Sequence, residues 1–342
     1  KTDVKFRMGS PISIDHKHQE VKLDSSETLK FDHLVVALGS TTADFGIPGV
    51  KEFTLGMKSV HEALNIRAEI MRRFEDLCRF EDDTKFSISV IGGGPTGVEM
   101  AGAIAELVRG PLKSDHARSA ANIKVRIIEA GDRLLPTFSP SLSKRTKKDL
   151  EKLGVEVLVN SPVKLVEHRK VTVADGLSLP SEITIWAAGV KGSDAMAQLN
   201  LPIAANRIVV EPTLQVKNYP NVWALGDIAG ALGKDGKPLP MVAPVAIQQG
   251  KFIAKQINRV SANKVLKNFK YLDKGSMATI GRNKAVVEVK GLKIAGPVAW
   301  LIWIALHLFY LLGGRNKLTT IADWTWNYLT FDRGNRHIMD SQ

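Results

Sequence analysis

SVIGGGPTGVEMAGAIAELVRG (residues 89–110) passes from a short β-branched segment through a glycine-rich turn into an alanine-rich helical pattern. A Gly92-x-Gly94-x-x-Gly97 pattern that follows a strand and opens a helix reads as a dinucleotide-binding unit. The first glycine allows the tight turn, the second lets backbone approach a pyrophosphate, and the third lets helix and sheet pack closely. The phosphates then lie against the unpaired N–H groups of the helix N-terminus. The next strand, IKVRIIEAG (residues 123–131), reaches Glu129 at its end. A carboxylate there can accept hydrogen bonds from the adenosine ribose hydroxyls and repels a 2′-phosphate, which favours NADH over NADPH. Glu129 lies 37 residues beyond Gly92, later than the usual spacing of about 20. The long helix and the polar connection KSDHARSAAN (residues 113–122) account for the delay. The plain alternative is a solvated carboxylate at a strand end.

Working outward, strands alternate with helices. Upstream, LVVALGS (residues 34–40) reads as a buried parallel strand stopping at Gly39, and the apolar spacing of residues 58–80 reads as an amphipathic connecting helix. Downstream, SPSLSKRTKKDLEKLG (residues 139–154) reads as a helix with Gly154 just past its end. EITIWAAGV (residues 182–190) is a further buried strand stopping at Gly189, and NVWALGD (residues 221–227) another, followed by the helical APVAIQQGKFIAKQIN. This alternation predicts an α/β fold of tandem Rossmann-like, doubly wound domains. Gly39 and Gly189 stand where a chain passes close to a bound nucleotide, and each read singly is equally a β-turn glycine. Gly226-Asp227 places a carboxylate at the C-terminal end of a buried strand, where ligands sit in open α/β sheets.

Composition narrows the class. In 342 residues, 44% hydrophobic and 24% charged are ordinary globular values. Lys+Arg 47 against Asp+Glu 35 leaves a net charge of +12, which favours an anionic partner such as a nucleotide, a nucleic acid or an acidic membrane surface. No nucleic-acid motif or basic-aromatic groove supports the second of these. One cysteine, Cys78, leaves no disulfide scaffold or CxxC pair, and the eight histidines show no HxxxH or HExxH spacing, so no metal site is expected. The first residues lack the apolar core of a signal peptide.

LVVALGS with FGIPGV, VIGGGPTGVEMAGAIAEL, NVWALGDIAG, APVAIQQG and the ending WTWNYLTFDRGNRHI together resemble type II NADH:quinone oxidoreductases, the single-subunit, FAD-containing alternative NADH dehydrogenases. The resemblance covers essentially the whole chain. It implies FAD and NADH as cofactors and a membrane quinone as electron acceptor. It further implies two-electron transfer without proton pumping, since no multi-helix membrane domain is visible. It also implies an NADH domain inserted in an FAD domain, giving 1–56 as partial FAD domain, 57–83 as connecting helix, 84–204 as NADH domain, 205–260 as the FAD return and 261–342 as a C-terminal extension. The family's first βαβ unit for FAD is not in this sequence, so an absent N-terminal segment is expected. A truncated, non-catalytic NADH-binding module is the rival reading.

Carried onto this chain, the resemblance places Gly226 and Asp227 at the FAD phosphate and ribitol, and Gly39 at the strand end facing the flavin nucleotide. It puts the Ala246 backbone near the pyrimidine edge of the isoalloxazine, and Gln248 and Gln249 near the quinone pocket. Pro244 stands where many members carry the first glutamine of an AQxAxQ pattern, which leaves that quinone contact without its residue. Glu99 is expected in the first turn of the motif helix, beside nicotinamide and flavin, handling protons or quinone. Disulfide and sulfide:quinone reductases share the fold but need cysteine pairs.

Residues 294–312, IAGPVAWLIWIALHLFYLL, carry no Asp, Glu, Lys or Arg and, at about 19 residues, sit at the lower end of what spans a bilayer. Gly296, Pro297, His307 and the aromatics Trp300, Trp303 and Tyr310 favour an interfacial segment. With LTTIADWTWNYLTF behind it, it resembles the family's monotopic anchor on the cytoplasmic face, or the matrix face in an organelle, adhering to anionic lipid. A spanning helix and a buried homodimer interface are the alternatives.

Overall fold

The computed structural model describes residues 4–79 and 85–330. The DRGNRHI end of the quoted C-terminal stretch (residues 332–338) and the end of the 57–83 segment lie outside the described residues. The chain divides into two compact units, Lys1–Ala43 with Val190–Asp273, and Asp44–Gly189 with Lys274–Gln342.

The unit carrying the glycine motif is built on a five-stranded parallel sheet. Its order is Leu55–Gly56, Ile183–Trp186, Phe86–Ile91, Ile123–Ile128, Glu156–Leu158. Parallel strands covered on both faces read as unbroken apolar runs, and every residue of Phe86–Ile91 is buried accordingly. Ile88, Val90, Ile127 and Ile185 have no exposed surface. Helices Val60–Arg79, Pro95–Leu107 and Pro140–Lys152 flank this sheet. The last begins with proline in its first turn and is followed by Gly154 at φ 78°, the left-handed stop expected of it.

A three-stranded antiparallel meander, Ser276–Gly281, Lys284–Val289 and Leu292–Ala295, belongs to the same unit. The motif helix meets it at Gly102, where an added Cβ would stand 1.9 Å from the Ile280 carbonyl oxygen. Four residues on, the Glu106 carboxylate accepts the Arg282 N–H at 2.5 Å. These two contacts explain why the C-terminal region packs with the dinucleotide fold.

The uncharged run 294–312 is not one helix. Ile294 and Ala295 finish the third strand of the meander, Gly296 turns the chain at φ 85°, and the helix is Pro297–Tyr310. Fourteen residues at a rise of 1.5 Å make about 21 Å, short of the roughly 30 Å of a hydrocarbon core. Among the described residues no helix is long and apolar enough to cross a membrane, which removes the spanning alternative for this segment. The following helix, Gly314–Thr330, leans on the first through aromatic rings: Trp303 stacks with Trp324 and Trp300 tilts against Tyr328.

In the other unit, Leu34–Val36 pairs in parallel with Tyr219–Ala224, as expected of LVVALGS and NVWALGD. Helix Ala243–Ser261 packs beside them, burying Val245, Gln249, Ile253 and Gln256 on one face. Ser40–Thr42 pairs with Val190–Gly192. The pairing lies within the unit that runs to Ala43 and resumes at Val190. Leu55–Gly56 extends the parallel sheet, so residues 44–56 fold with the dinucleotide unit, and Val190–Asp273 with the first.

Candidate functional sites in two units

In the motif unit the turn after Phe86–Ile91 has the shape its glycines predict. Gly92 adopts φ 111°, and a Cβ on it would lie 2.6 Å from Ala188 Cα. A Cβ on Gly97 would stand 1.8 Å from the Gly92 carbonyl oxygen. At Gly94, which caps the helix, a Cβ would meet nothing within 4 Å, so the backbone faces open space at the helix N-terminus, the kind of end that favours an anion. Glu129 stands beside this turn. Its two carboxylate oxygens accept the N–H groups of Gly93 at 2.5 Å and of Gly131 at 2.6 Å. It is therefore not an idle solvated carboxylate: backbone donors hold it in place, and each oxygen keeps a lone pair for a ligand hydroxyl. A Cβ on Gly189 would meet the Phe45 ring at 2.9 Å.

Glu99 is the fifth residue of a helix that starts at Pro95, so it lies in the second turn and not, as expected, the first. Its carboxylate accepts the Thr279 N–H at 3.1 Å. Burial pushes this carboxyl above its ordinary value, while the Thr279 N–H, a nearby His307 and a hydrogen bond with Trp303 act in the opposite direction. His307 stacks on Trp303 with centroids 3.9 Å apart. Glu99 thus joins the motif helix, the C-terminal meander and the apolar helix around one titratable group.

In the other unit the constellation is Gly39, Ser40, Gly226, Asp227 and Gln249. Gly39 (φ 69°) is open, with nothing within 4 Å of a would-be Cβ. Ser40 Oγ donates to Asp227 Oδ2 at 2.5 Å. Gly226 turns at φ 74°, with Ala246 Cβ 3.4 Å from where its own Cβ would be. Gln249, expected near the quinone, has no exposed surface, and its Oε1 accepts the Gly226 N–H at 2.6 Å. It lies in the buried row of the helix and bonds the turn ahead of Asp227. Gln248 is engaged on its neighbouring strap: its amide donates to Leu272 O at 2.9 Å and accepts Leu272 N–H at 3.0 Å. Pro244 occupies the first turn of the helix, a position that needs no N–H.

Sequence reasoning missed Ser40, Thr279 and Trp303, because partners far apart in sequence leave no spacing signal. Gly102 did leave one: a glycine inside a helix interior, which costs stability unless another backbone comes close.

Residues 1–250 match the family described as pyridine nucleotide-disulphide oxidoreductase, and residues 274–333 match the NDH2 C-terminal domain. A type II NADH:quinone oxidoreductase of Mycobacterium tuberculosis is 37% identical over 329 residues, covering 91% of this chain and 70% of its own length. The chain belongs to the type II NADH:quinone oxidoreductases. An internal alternative NAD(P)H-ubiquinone oxidoreductase of Arabidopsis mitochondria is 32% identical, covering 91% of this chain and 67% of its own. Among solved structures, NDH2 of Plasmodium falciparum in complex with NADH superposes with a TM-score of 0.87 at 20% identity, over 97% of this chain and 85% of that one. The sulfide:quinone oxidoreductase of Aquifex aeolicus shares the fold with a TM-score of 0.69 at 18% identity, over 95% of this chain and 79% of that one.

The residues of this type II oxidoreductase chain fit the two dinucleotides of its family. The open Gly94 cap and the held Glu129 suit NADH. The open Gly39 and the Ser40–Asp227 pair suit FAD.

Proposed function

We infer that this chain is an FAD-dependent NADH:quinone oxidoreductase, and the observation that carries the inference is the joint match to the dinucleotide-binding family over 1–250 and to the NDH2 C-terminal domain over 274–333. Bound FAD supplies the centre that takes a hydride from NADH and returns two electrons to a quinone. The protein's own residues bind, orient and exclude.

We assign the Asp44–Gly189 unit to NADH and the unit containing Gly226 to FAD. Gly92, Gly94 and Gly97 bring backbone against the pyrophosphate, and Glu129 receives the ribose hydroxyls while repelling a 2′-phosphate. Gly39, Gly226, Asp227 and the Ala246 backbone line the flavin side, and Gln248 is the glutamine assigned to the quinone side. Glu99, with its raised proton affinity, is suited to hold the proton that quinone reduction consumes.

For membrane attachment we assign the two C-terminal helices. Val298, Leu301, Phe309, Leu312, Leu318 and Trp326 are each more than half exposed, an apolar face of the kind that lies in one leaflet. Lys290, Lys293, Arg315 and Lys317 border it and suit anionic headgroups. The face with access to NADH is cytoplasmic, or matrix in an organelle. A homodimer through the same face is the competing use, and analytical ultracentrifugation with and without detergent separates the two.

The function is tested by NADH oxidation with a short-chain quinone in the presence of FAD. Oxidation that requires both quinone and FAD, and is slower with NADPH, is expected. Flavin-loaded protein that oxidises NADH with ferricyanide but with no quinone contradicts the assignment.

A further inference from the structure

We propose that Gln249 is a positioning residue of the flavin site, its side-chain amide fixing the Gly226 turn and so aiming the Asp227 carboxylate at the cofactor. This rests on the reading of that unit as the FAD unit.

Helix Ala243–Ser261 carries three glutamines with neighbouring backbone as partner, and their targets differ. Gln248 holds Leu272, and Gln256 Oε1 accepts the Lys267 N–H at 3.0 Å, so both fasten the strap that follows the helix. Gln249 alone reaches the turn between the Tyr219–Ala224 strand and Asp227. It stands in the buried row between Val245 and Ile253.

Packing alone does not account for an amide here. The Gly226 N–H can pair only with an acceptor, so Oε1 must face it, and Nε2 is left buried with no hydrogen-bond partner. Flipping the amide would set donor against donor. A methionine of similar volume would fill the row without the buried Nε2 donor, at the expense of the Gly226 N–H, which would lose its acceptor. The amide carries that penalty while giving Gly226 its acceptor, and Gly226 is the residue whose left-handed backbone (φ 74°) directs Asp227. Asp227 is in turn held by the Ser40 hydroxyl and feels the Arg207 guanidinium. Removing Oε1 would free the turn and with it the direction of the one carboxylate in the constellation.

The test compares the wild-type holoprotein with Gln249→Met and Gln249→Glu. Three quantities are read: the FAD dissociation constant, the visible flavin spectrum, and hydrogen exchange at the Gly226 amide. Gln249→Met should weaken FAD binding about tenfold, the size of one lost hydrogen bond. It should also shift the flavin spectrum, lose protection at Gly226 and leave the folding midpoint no lower than wild type. Gln249→Glu keeps an oxygen acceptor for the Gly226 N–H at every pH and should bind FAD more tightly than Gln249→Met, most of all as pH falls and protonation removes a buried charge. Wild-type FAD affinity and spectrum in Gln249→Met would overturn the proposal. So would weakened FAD binding accompanied by a lower folding midpoint and unchanged protection at Gly226. A wild-type protein that folds but takes up no FAD sinks the FAD reading instead. Gly226 exchange then decides the Gln249 contact by itself: unchanged protection in Gln249→Met overturns it.

Discussion

Glu129 is the side chain we propose links the backbone turn to cofactor specificity. Its carboxylate binds the Gly93 and Gly131 amides, so it belongs to the turn that it helps to define. Glu129→Gln keeps an oxygen for one amide and removes the charge that repels a 2′-phosphate. The expected outcome is a KM for NADH raised about tenfold and a narrowed preference over NADPH, as for loss of about one charge-assisted hydrogen bond; unchanged ratios of kcat/KM for the two cofactors would remove Glu129 from that role. Glu99 carries a different consequence. Its carboxyl is raised above the ordinary 4.5 chiefly by burial, so the folded protein keeps a proton that the unfolded chain has already lost. Stability therefore falls as pH rises from the unfolded value through the folded one. Glu99→Gln has no such decline, and its stability relative to wild type should grow across that window in denaturant titrations at stepped pH. Parallel stability curves would show that burial is not what governs this group.

At the scale of elements, the motif helix does two jobs, and its glycines divide them. Gly97 lets it close on the turn and Gly102 lets it close on the Ile280 backbone of the C-terminal meander. Gly102→Ala should separate helix and meander at a cost of about 1–3 kcal/mol, as overpacking does, read as a lower midpoint in thermal unfolding. An unchanged midpoint would show that the meander yields without cost. Much of this level was legible in advance. The strand, turn and helix of residues 89–110 announce themselves because glycine spacing and apolar period are local signals, and Gly154 marks its helix end for the same reason. Gly296 and Pro297 already marked the apolar run 294–312 as something other than a plain spanning helix, but hydropathy does not separate the strand end Ile294–Ala295 from the helix that starts at Pro297. For Gln249 the sequence shows only a glutamine beside a motif; its burial and its bond to the Gly226 N–H depend on the fold.

For the molecule as a whole, composition and architecture converge on a protein that handles anions. A net charge of +12, an exposed apolar face on the last two helices and flanking lysines and arginines predict adhesion to acidic bilayers. Flotation with vesicles containing anionic lipid should carry the protein to the top, with less carried on neutral vesicles or at high salt. Equal flotation on both lipid types would leave the apolar face and dismiss the charge. The chain divides into two units at 43/44, 189/190 and 273/274; the resemblance implied an inserted arrangement, while the pairing of Ser40–Thr42 with Val190–Gly192 has no local signature. The most direct test of the account is an anaerobic titration of the flavin-loaded protein, first with NADH and then with a short-chain quinone. The account predicts that NADH bleaches the flavin absorbance stoichiometrically and that the quinone restores it. Bleaching that the quinone does not reverse would contradict the assignment of a quinone as acceptor.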